Sequence, residues 1–76
     1  MTVIYTEHAK ERMAERSITE KMVNEGLEHP DEKIVGHDER EVIFKKLKAG
    51  TIKIVCKPEG KHTIIISTIW HKTYEN

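Results

Sequence analysis

The feature that most constrains the fold is a change of hydrophobic period at Pro30-Asp31. Before this point apolar residues recur at helical spacing, as Ala9 and Met13 do, and after it apolar and polar residues alternate, as in residues 51–57. A period of 3.6 is typical of an amphipathic helix, and a period of 2 is typical of a strand with one buried face. A helical first part and a β second part together predict an α+β domain.

Two helices are predicted in the first part. Thr6 and Thr19 are the expected N-caps, since a threonine hydroxyl accepts a hydrogen bond from the first turn of a helix. The first helix should span residues 7–16, and the second should end before Pro30, which disfavours helical backbone at the preceding residue. Gly26 would let the second helix pack closely. A link of two or three residues joins the pair into an αα-hairpin.

Four strands are predicted in the second part. They cover residues 33–35, 42–47, 51–57 and 62–70, separated by turns at 37–40, 49–50 and 58–61. Turns this short predict an antiparallel meander with the αα-hairpin on one of its faces. The last run is apolar on both faces and is expected to be a central strand. Residues 2–5 are expected to form a short edge strand or an extended arm.

Composition limits the classes of protein that fit. The 76 residues make one domain, 1–76, and the 37% hydrophobic and 34% charged content is typical of a soluble globular protein. Because Cys56 is the only cysteine, no intramolecular disulfide can form, which fits a reducing cytoplasm. No cysteine and histidine spacing indicates a zinc site, so neither a metal nor another cofactor is predicted. No run of about 18 apolar residues indicates a membrane span.

Charge is distributed unevenly although the formal net charge is zero. Residues 1–32 hold four basic and eight acidic side chains, and residues 33–76 hold nine basic and five acidic. A net charge of zero argues against a general nucleic-acid binder, but the basic second part could attract phosphate locally. The alternative is that its lysines form the solvated face of a sheet and protect it from edge aggregation.

The first helix carries a candidate functional motif in residues 8–18. At about 100° per residue, His8, Arg12 and Arg16 run along the border between core and solvent. One imidazole and two guanidiniums could bind an anion and move a proton. The alternative is a solvated flank paired to glutamates, in which a pair such as Arg12 and Glu15 contributes only about 0.2–0.5 kcal/mol.

That motif, His-Ala-x-x-Arg-Met-x-x-Arg-x-Ile, followed by a helix that ends near Pro30-Asp31, resembles the domain-of-unknown-function 4258 family. The family is similar to RelE and BrnT toxin folds, which are small microbial ribonucleases of toxin–antitoxin systems. The resemblance covers residues 5–70 and implies the same order of helices and strands. It also implies an antitoxin-type protein partner and an active-site residue near the end of the last strand, where Thr68, His71 and Tyr74 lie.

A metal-independent ribonuclease is the function that follows from this resemblance and from the motif. In such an enzyme the 2′-hydroxyl of RNA attacks the adjacent phosphorus, which requires a base, an acid and cations for the developing charge. His8 would be the base or the acid, because a helix N-terminus favours its neutral form. Arg12 and either Lys45 or Lys53 would bind the phosphate, and His71 would be the complementary acid.

Further phosphate-binding positions are expected on the strands. Lys45 and Lys53 should face each other across a turn and, with Lys57, form a cationic stripe that guides an RNA backbone. Thr68 and Arg16 are additional candidates. Arg16 lies nearer the core, so its alternative role is structural.

A non-catalytic interaction module is the alternative function, as a homodimer or bound to another protein. It would use the edge at residues 2–5, or an exposed region at residues 70–74, to supplement a small core. If the chain cleaves RNA, free or on the ribosome, His8, Arg12 and a strand lysine should converge in a concave site. In an interaction module they should diverge or be engaged in ion pairs.

Overall fold

The structure, a computed structural model, describes residues 2–72. Its elements are β1 (Thr2–Tyr5), α1 (Glu7–Arg16), α2 (Glu20–Glu28), β2 (Glu32–Val35), β3 (Glu41–Leu47), β4 (Gly50–Glu59) and β5 (His62–His71). A single 3₁₀ turn at His37–Glu39 joins β2 to β3. The predicted α+β class is confirmed.

The five strands form one sheet in the order β1-β5-β4-β3-β2. The predicted antiparallel meander is present in β2 to β5, with β5 in the interior of the sheet between β1 and β4. The sheet is nevertheless mixed rather than purely antiparallel, because β1 pairs with β5 in the parallel sense. The αα-hairpin carries the chain from one edge of the sheet to the other, which places β1 and β2 at opposite edges.

Both helices begin and end where the sequence predicts. Thr6 Oγ1 accepts a hydrogen bond from the Ala9 amide at 3.0 Å, and Thr19 Oγ1 accepts one from the Met22 amide at 3.1 Å. After α1, Ser17 takes a left-handed conformation with φ of 58°. The two threonine bonds satisfy amides that the start of a helix would otherwise leave without partners.

The core lies between the helices and one face of the sheet. Ile52, Ile54 and Cys56 alternate along β4 and are each 0% exposed, as the period of 2 predicts. A Cβ at Gly26 would lie 2.9 Å from Ile54 Cδ1, so only glycine lets α2 approach β4 this closely without a shift. The rest of the buried apolar cluster comprises Ala9, Met13, Ile18, Val23, Ile43 and Ile65.

The β4–β5 pairing contains an irregularity that sequence periodicity does not reveal. Cys56 pairs with Ile65, but Val55 pairs with Ser67, which leaves Ile66 as an additional residue in β5. Such a bulge reverses the inside-outside alternation, so Ile65 and Thr68 both point toward the helices.

The turn between β4 and β5 is also shorter than the predicted 58–61. Pro58 and Glu59 remain paired with β5, and only Gly60 and Lys61 make the turn. Gly60 has a φ of 62°, which a glycine adopts at no steric cost. The end of β5 extends one residue beyond the prediction, to His71.

The other face of the sheet carries no helix within residues 2–72. We call it the open face. It is formed by Ile4 on β1, Glu32 and Ile34 on β2, Val42, Phe44 and Lys46 on β3, Thr51, Lys53, Val55 and Lys57 on β4, and Ile64, Ile69 and His71 on β5. It mixes apolar side chains with lysines.

Candidate functional site

His8 and Arg12 lie together on the outer surface of α1. Arg12 Nε donates a hydrogen bond to His8 Nε2 at 3.4 Å, and Arg12 Nη1 forms an ion pair with Glu15 Oε1 at 3.4 Å. Because Nε2 accepts, the proton of a neutral imidazole is placed on Nδ1 in this arrangement. The Arg12 and Glu15 side chains are 44% and 63% exposed, so water screens the pair. This is the ion-paired arrangement expected of a solvated helix flank.

Arg16 joins the end of α1 to β5. Its Nη1 donates a 2.6 Å hydrogen bond to the Thr68 carbonyl oxygen, and Trp70 Nε1 donates a 2.7 Å bond to the Arg16 carbonyl oxygen. We call these two bonds the α1–β5 lock. Arg16 is partly buried, and its guanidinium is already used within the fold. These contacts therefore agree with the alternative prediction for Arg16, which is a structural role.

Thr68 does not lie where it could contact a phosphate, because its side chain is 0% exposed. The bulge at Ile66 turns it inward. Within residues 2–72 the Thr68 Oγ1 atom has no hydrogen-bond partner. Burying a hydroxyl without a partner costs about 1–3 kcal/mol, so Thr68 is a position at which substitution should change stability.

Lys45 and Lys53 do not face each other, and this part of the prediction is wrong. Lys45 pairs with Ile52, whereas Lys53 pairs with Phe44, so the two lysines lie on opposite faces of the sheet. A difference of one residue in register reverses the face. Lys45 Nζ instead donates a 2.9 Å hydrogen bond to the His29 carbonyl oxygen, at the C-terminus of α2. Positive charge at that position stabilises the helix dipole.

Lys46, Lys53 and Lys57 are on the open face. Lys57 Nζ lies 3.9 Å from Glu59 Oε2. Within the part of the chain that the structure describes, no ion pair or side-chain hydrogen bond engages the ammonium of Lys46 or Lys53. Two of the three open-face ammoniums are therefore available to an anion.

His71 lies on the open face at the end of β5. It pairs in register with Thr51, and its ring centre lies 4.9 Å from that of Phe44 in an edge-on contact. A cleft of about 340 Å³ opens at this corner of the sheet. We call it the corner cleft, and its lining residues are Asp31, Glu32, Phe44, Lys46, Thr51 and His71. Tyr74, the third position predicted here, lies outside the described residues.

The sheet separates the predicted acid and base. His8 is on α1, which packs on the covered face of β5, and His71 points to the open face. Arg12 remains with His8, and Lys53 and Lys57 lie on the side of His71. The predicted residues thus diverge into two groups, which is the arrangement expected of a non-catalytic interaction module, and a ribonuclease site would have to lie within one group alone. Asp31, Glu32, Phe44 and Lys46 line the corner cleft and were missed, although strand parity relative to Lys53 could have identified Phe44 and Lys46.

Two further titratable groups are perturbed. Burial, and to a smaller extent the nearby Glu41 carboxylate, raise the pKa of the Cys56 thiol to about 11 against the opposing effect of Lys33. A thiol with this pKa is protonated at neutral pH and is a poor nucleophile. Burial and then Glu20 raise the pKa of Tyr5, whose hydroxyl donates to Asn24 Oδ1 at 3.3 Å.

Metal and membrane signals were also sought in residues 2–72. In this range no three histidine, cysteine or acidic side chains are grouped as metal ligands would be. Neither α1 nor α2 is long or apolar enough to cross a membrane.

Fold and site together define a small α+β domain with both helices on one face of a mixed sheet and a cleft lined by both acidic and basic side chains on the other. The chain belongs to the family described as Domain of unknown function (DUF4258), whose model matches residues 5–71. This confirms the family that the helix motif predicted. No curated protein and no solved structure matches the chain.

Proposed function

We propose that the protein binds RNA on its open face and cleaves it in the corner cleft, as a metal-independent endoribonuclease of toxin type. The observation that carries this proposal is the content of the cleft. One imidazole, one aromatic ring, two carboxylates and an ammonium that has no partner among residues 2–72 line a single concavity on the uncovered face. The resemblance to RelE and BrnT toxins adds support, since it places an active-site residue near the end of the last strand.

Binding would use Phe44 together with the lysines beside it. Lys53 stands opposite Phe44 on β4, and Lys46 is two residues along β3 on the same face. A base stacked on the ring would therefore have an ammonium on either side for its phosphates. The favourable charge is local, so a net charge of zero does not oppose it.

Cleavage would need two proton transfers. The 2′-hydroxyl oxygen attacks the adjacent phosphorus, and the Glu32 carboxylate takes the hydroxyl proton. The bond to the 5′ oxygen breaks, and the His71 imidazolium gives that oxygen a proton, which yields a 2′,3′-cyclic phosphate and a 5′-hydroxyl. Lys46 stabilises the charge that develops on the phosphorane. Asp31 Oδ2, which accepts a 2.7 Å bond from the Lys46 amide, holds the cleft wall in place.

The test measures cleavage of a labelled RNA, alone and on translating ribosomes. His71→Ala should lower the rate by about 100-fold or more, because general acid catalysis contributes on that scale. His62→Ala is the matched control, since His62 is also exposed and lies at the other end of β5. If His8→Ala abolishes cleavage and His71→Ala does not, the site is on α1. If the wild-type protein cleaves neither substrate, the proposal is wrong.

A second candidate, the non-catalytic interaction module, is favoured by the apolar part of the open face. Ile34 is 47% exposed and Ile4 is 41% exposed, at opposite edges of this face, so each edge offers a partner one exposed apolar side chain. An antitoxin-type protein would cover this face and with it the corner cleft. In this candidate, Ile34→Lys abolishes binding of the partner while His8→Ala, on the helix side of the sheet, leaves it unchanged. Trp70 would take no part, since its indole is bonded to Arg16.

A further inference from the structure

The β2 strand is a free edge of the sheet with exposed apolar side chains. Every residue from 31 to 40 is exposed, and no helix lies over this edge. Val35 is 70% exposed and Ile34 is 47% exposed, and both belong to this strand of four residues. An uncovered edge presents unpaired backbone groups that another strand can bind.

The backbone groups that face outward can be identified from the β2–β3 hydrogen bonds. The Gly36 amide donates to the Arg40 carbonyl at 2.8 Å, which fixes the alternation along the antiparallel pair. Glu32 and Ile34 accordingly bond to β3, in register with Phe44 and Val42. The amides and carbonyls of Lys33 and Val35 point away from the sheet.

We propose that β2 pairs with β2 of a second copy in the antiparallel sense, centred on Ile34. Only Lys33 and Val35 offer outward groups, so bonded pairs must be made between these residues of the two copies. A centre at Lys33 would oppose two ammoniums, and a centre at Val35 would allow only one bonded pair. The centre at Ile34 gives two bonded pairs, each between Lys33 of one copy and Val35 of the other.

This pairing joins the two open faces on the same side of one continuous sheet. The two Ile34 side chains meet at the symmetry axis and are removed from water. This inference does not depend on cleavage of RNA.

The interface is small. A strand of four residues buries less than the roughly 800 Å² per partner that is usual for a stable complex. Dimerisation should therefore be weak and should depend on protein concentration. The β1 edge is a poorer candidate for strand pairing, because it is not bare. Glu20 and Asn24 of α2 lie beside Val3 and Tyr5 and line a groove with them.

Cysteine cross-linking tests the register. In an antiparallel pair, non-bonded residues directly opposite each other have Cα atoms about 4.5 Å apart, within the range of a disulfide. With oxidised glutathione as the oxidant, Ile34→Cys should give covalent dimer at least tenfold faster than Val35→Cys or Ile4→Cys. The native Cys56 is 0% exposed and should not react. Equal rates for the three variants would overturn the proposal, and fastest linking of Ile4→Cys would move the interface to β1.

Sedimentation of the reversible dimer gives an independent measurement. Val35→Pro removes an outward amide without removing a β2–β3 bond, so it should raise the dimer dissociation constant at least tenfold. Ile4→Thr, at the other edge, should leave the constant unchanged. Circular dichroism checks that each variant is folded, and Ile34→Arg replaces the proline variant if it is not. A wild-type chain that remains monomeric at 500 µM would contradict the proposal.

Discussion

The two faces of the sheet are made by the same strands, but they use cationic side chains in different ways. On the covered face, Arg16 and Lys45 each donate to a main-chain carbonyl and hold a helix end to a strand or loop. On the open face, the ammoniums of Lys46 and Lys53 have no such partner among residues 2–72. Residue type therefore does not decide the role of a cation in this molecule, whereas the face on which it lies does.

The largest difference between the faces should appear when isoleucines are truncated. Ile54→Ala should lower the free energy of unfolding by about 3 kcal/mol, because Ile54 is 0% exposed and the change leaves a cavity. Ile34→Ala should cost less than about 1 kcal/mol, since Ile34 is already 47% exposed. Urea unfolding of both variants at low protein concentration measures the two values. Equal losses would show that the open face is covered in solution.

Two arginine substitutions should show a smaller difference in stability between buried and exposed positions. Arg16→Ala removes a charged donor to the Thr68 carbonyl and should cost about 2 kcal/mol. Arg12→Ala, on the exposed side of the same helix, should change the free energy of unfolding by less than about 0.5 kcal/mol. Thermal unfolding of the two variants gives the difference. Similar values would mean that the bond from the Arg16 guanidinium to the Thr68 carbonyl contributes nothing to stability.

Replacing Thr68 should stabilise the protein. Thr68→Val removes a buried hydroxyl that has no partner in the described range and should raise the free energy of unfolding by about 1 kcal/mol. Thr63→Val is the control, because Thr63 is also buried on β5 but takes part in a polar interaction. It should give no gain. A loss of stability in Thr68→Val would show that the Thr68 hydroxyl is bonded, for example to an internal water molecule.

A last difference should appear only in alkaline solution. The folded protein keeps the Cys56 proton up to a pKa of about 11, whereas the unfolded chain releases it near the ordinary value of 9.0. Stability attributable to this group is therefore complete below pH 9 and falls as the pH rises toward 11. The free energy of unfolding should fall more steeply with pH in the wild type than in Cys56→Ala. The difference in slope should correspond to the release of at most one proton. Parallel curves for the two proteins would contradict burial of the thiol.

The helices could be predicted from sequence because their signals are local. Thr6, Thr19 and Pro30 each act within one helical turn, and the observed ends agree with them. The alternation along β4 is equally local. These elements therefore needed no knowledge of the rest of the chain.

The candidate site could not be predicted to the same depth, because its placement depends on register. Whether Lys45 or Lys46 reaches the open face is decided by the pairing of Leu47 with Gly50 across a two-residue turn. In β5, nothing in a run of apolar and β-branched residues marks Ile66 as the additional one. Each such shift by one residue exchanges the two faces, and no local pattern reports it.

The position of β1 has a consequence for the time course of folding. The contacts that seat β1 and α1 on β5 span long stretches of chain, 59 residues for the Thr6–Ile65 bond and 52 for Arg16–Thr68. Contacts of this range form slowly, whereas the β2–β5 hairpins can close early. At roughly 5–20 residues per second, a ribosome needs several seconds to synthesise β5 after α1 has emerged. During that interval the apolar side of α1 has no strand to cover it, and chaperones have access to it.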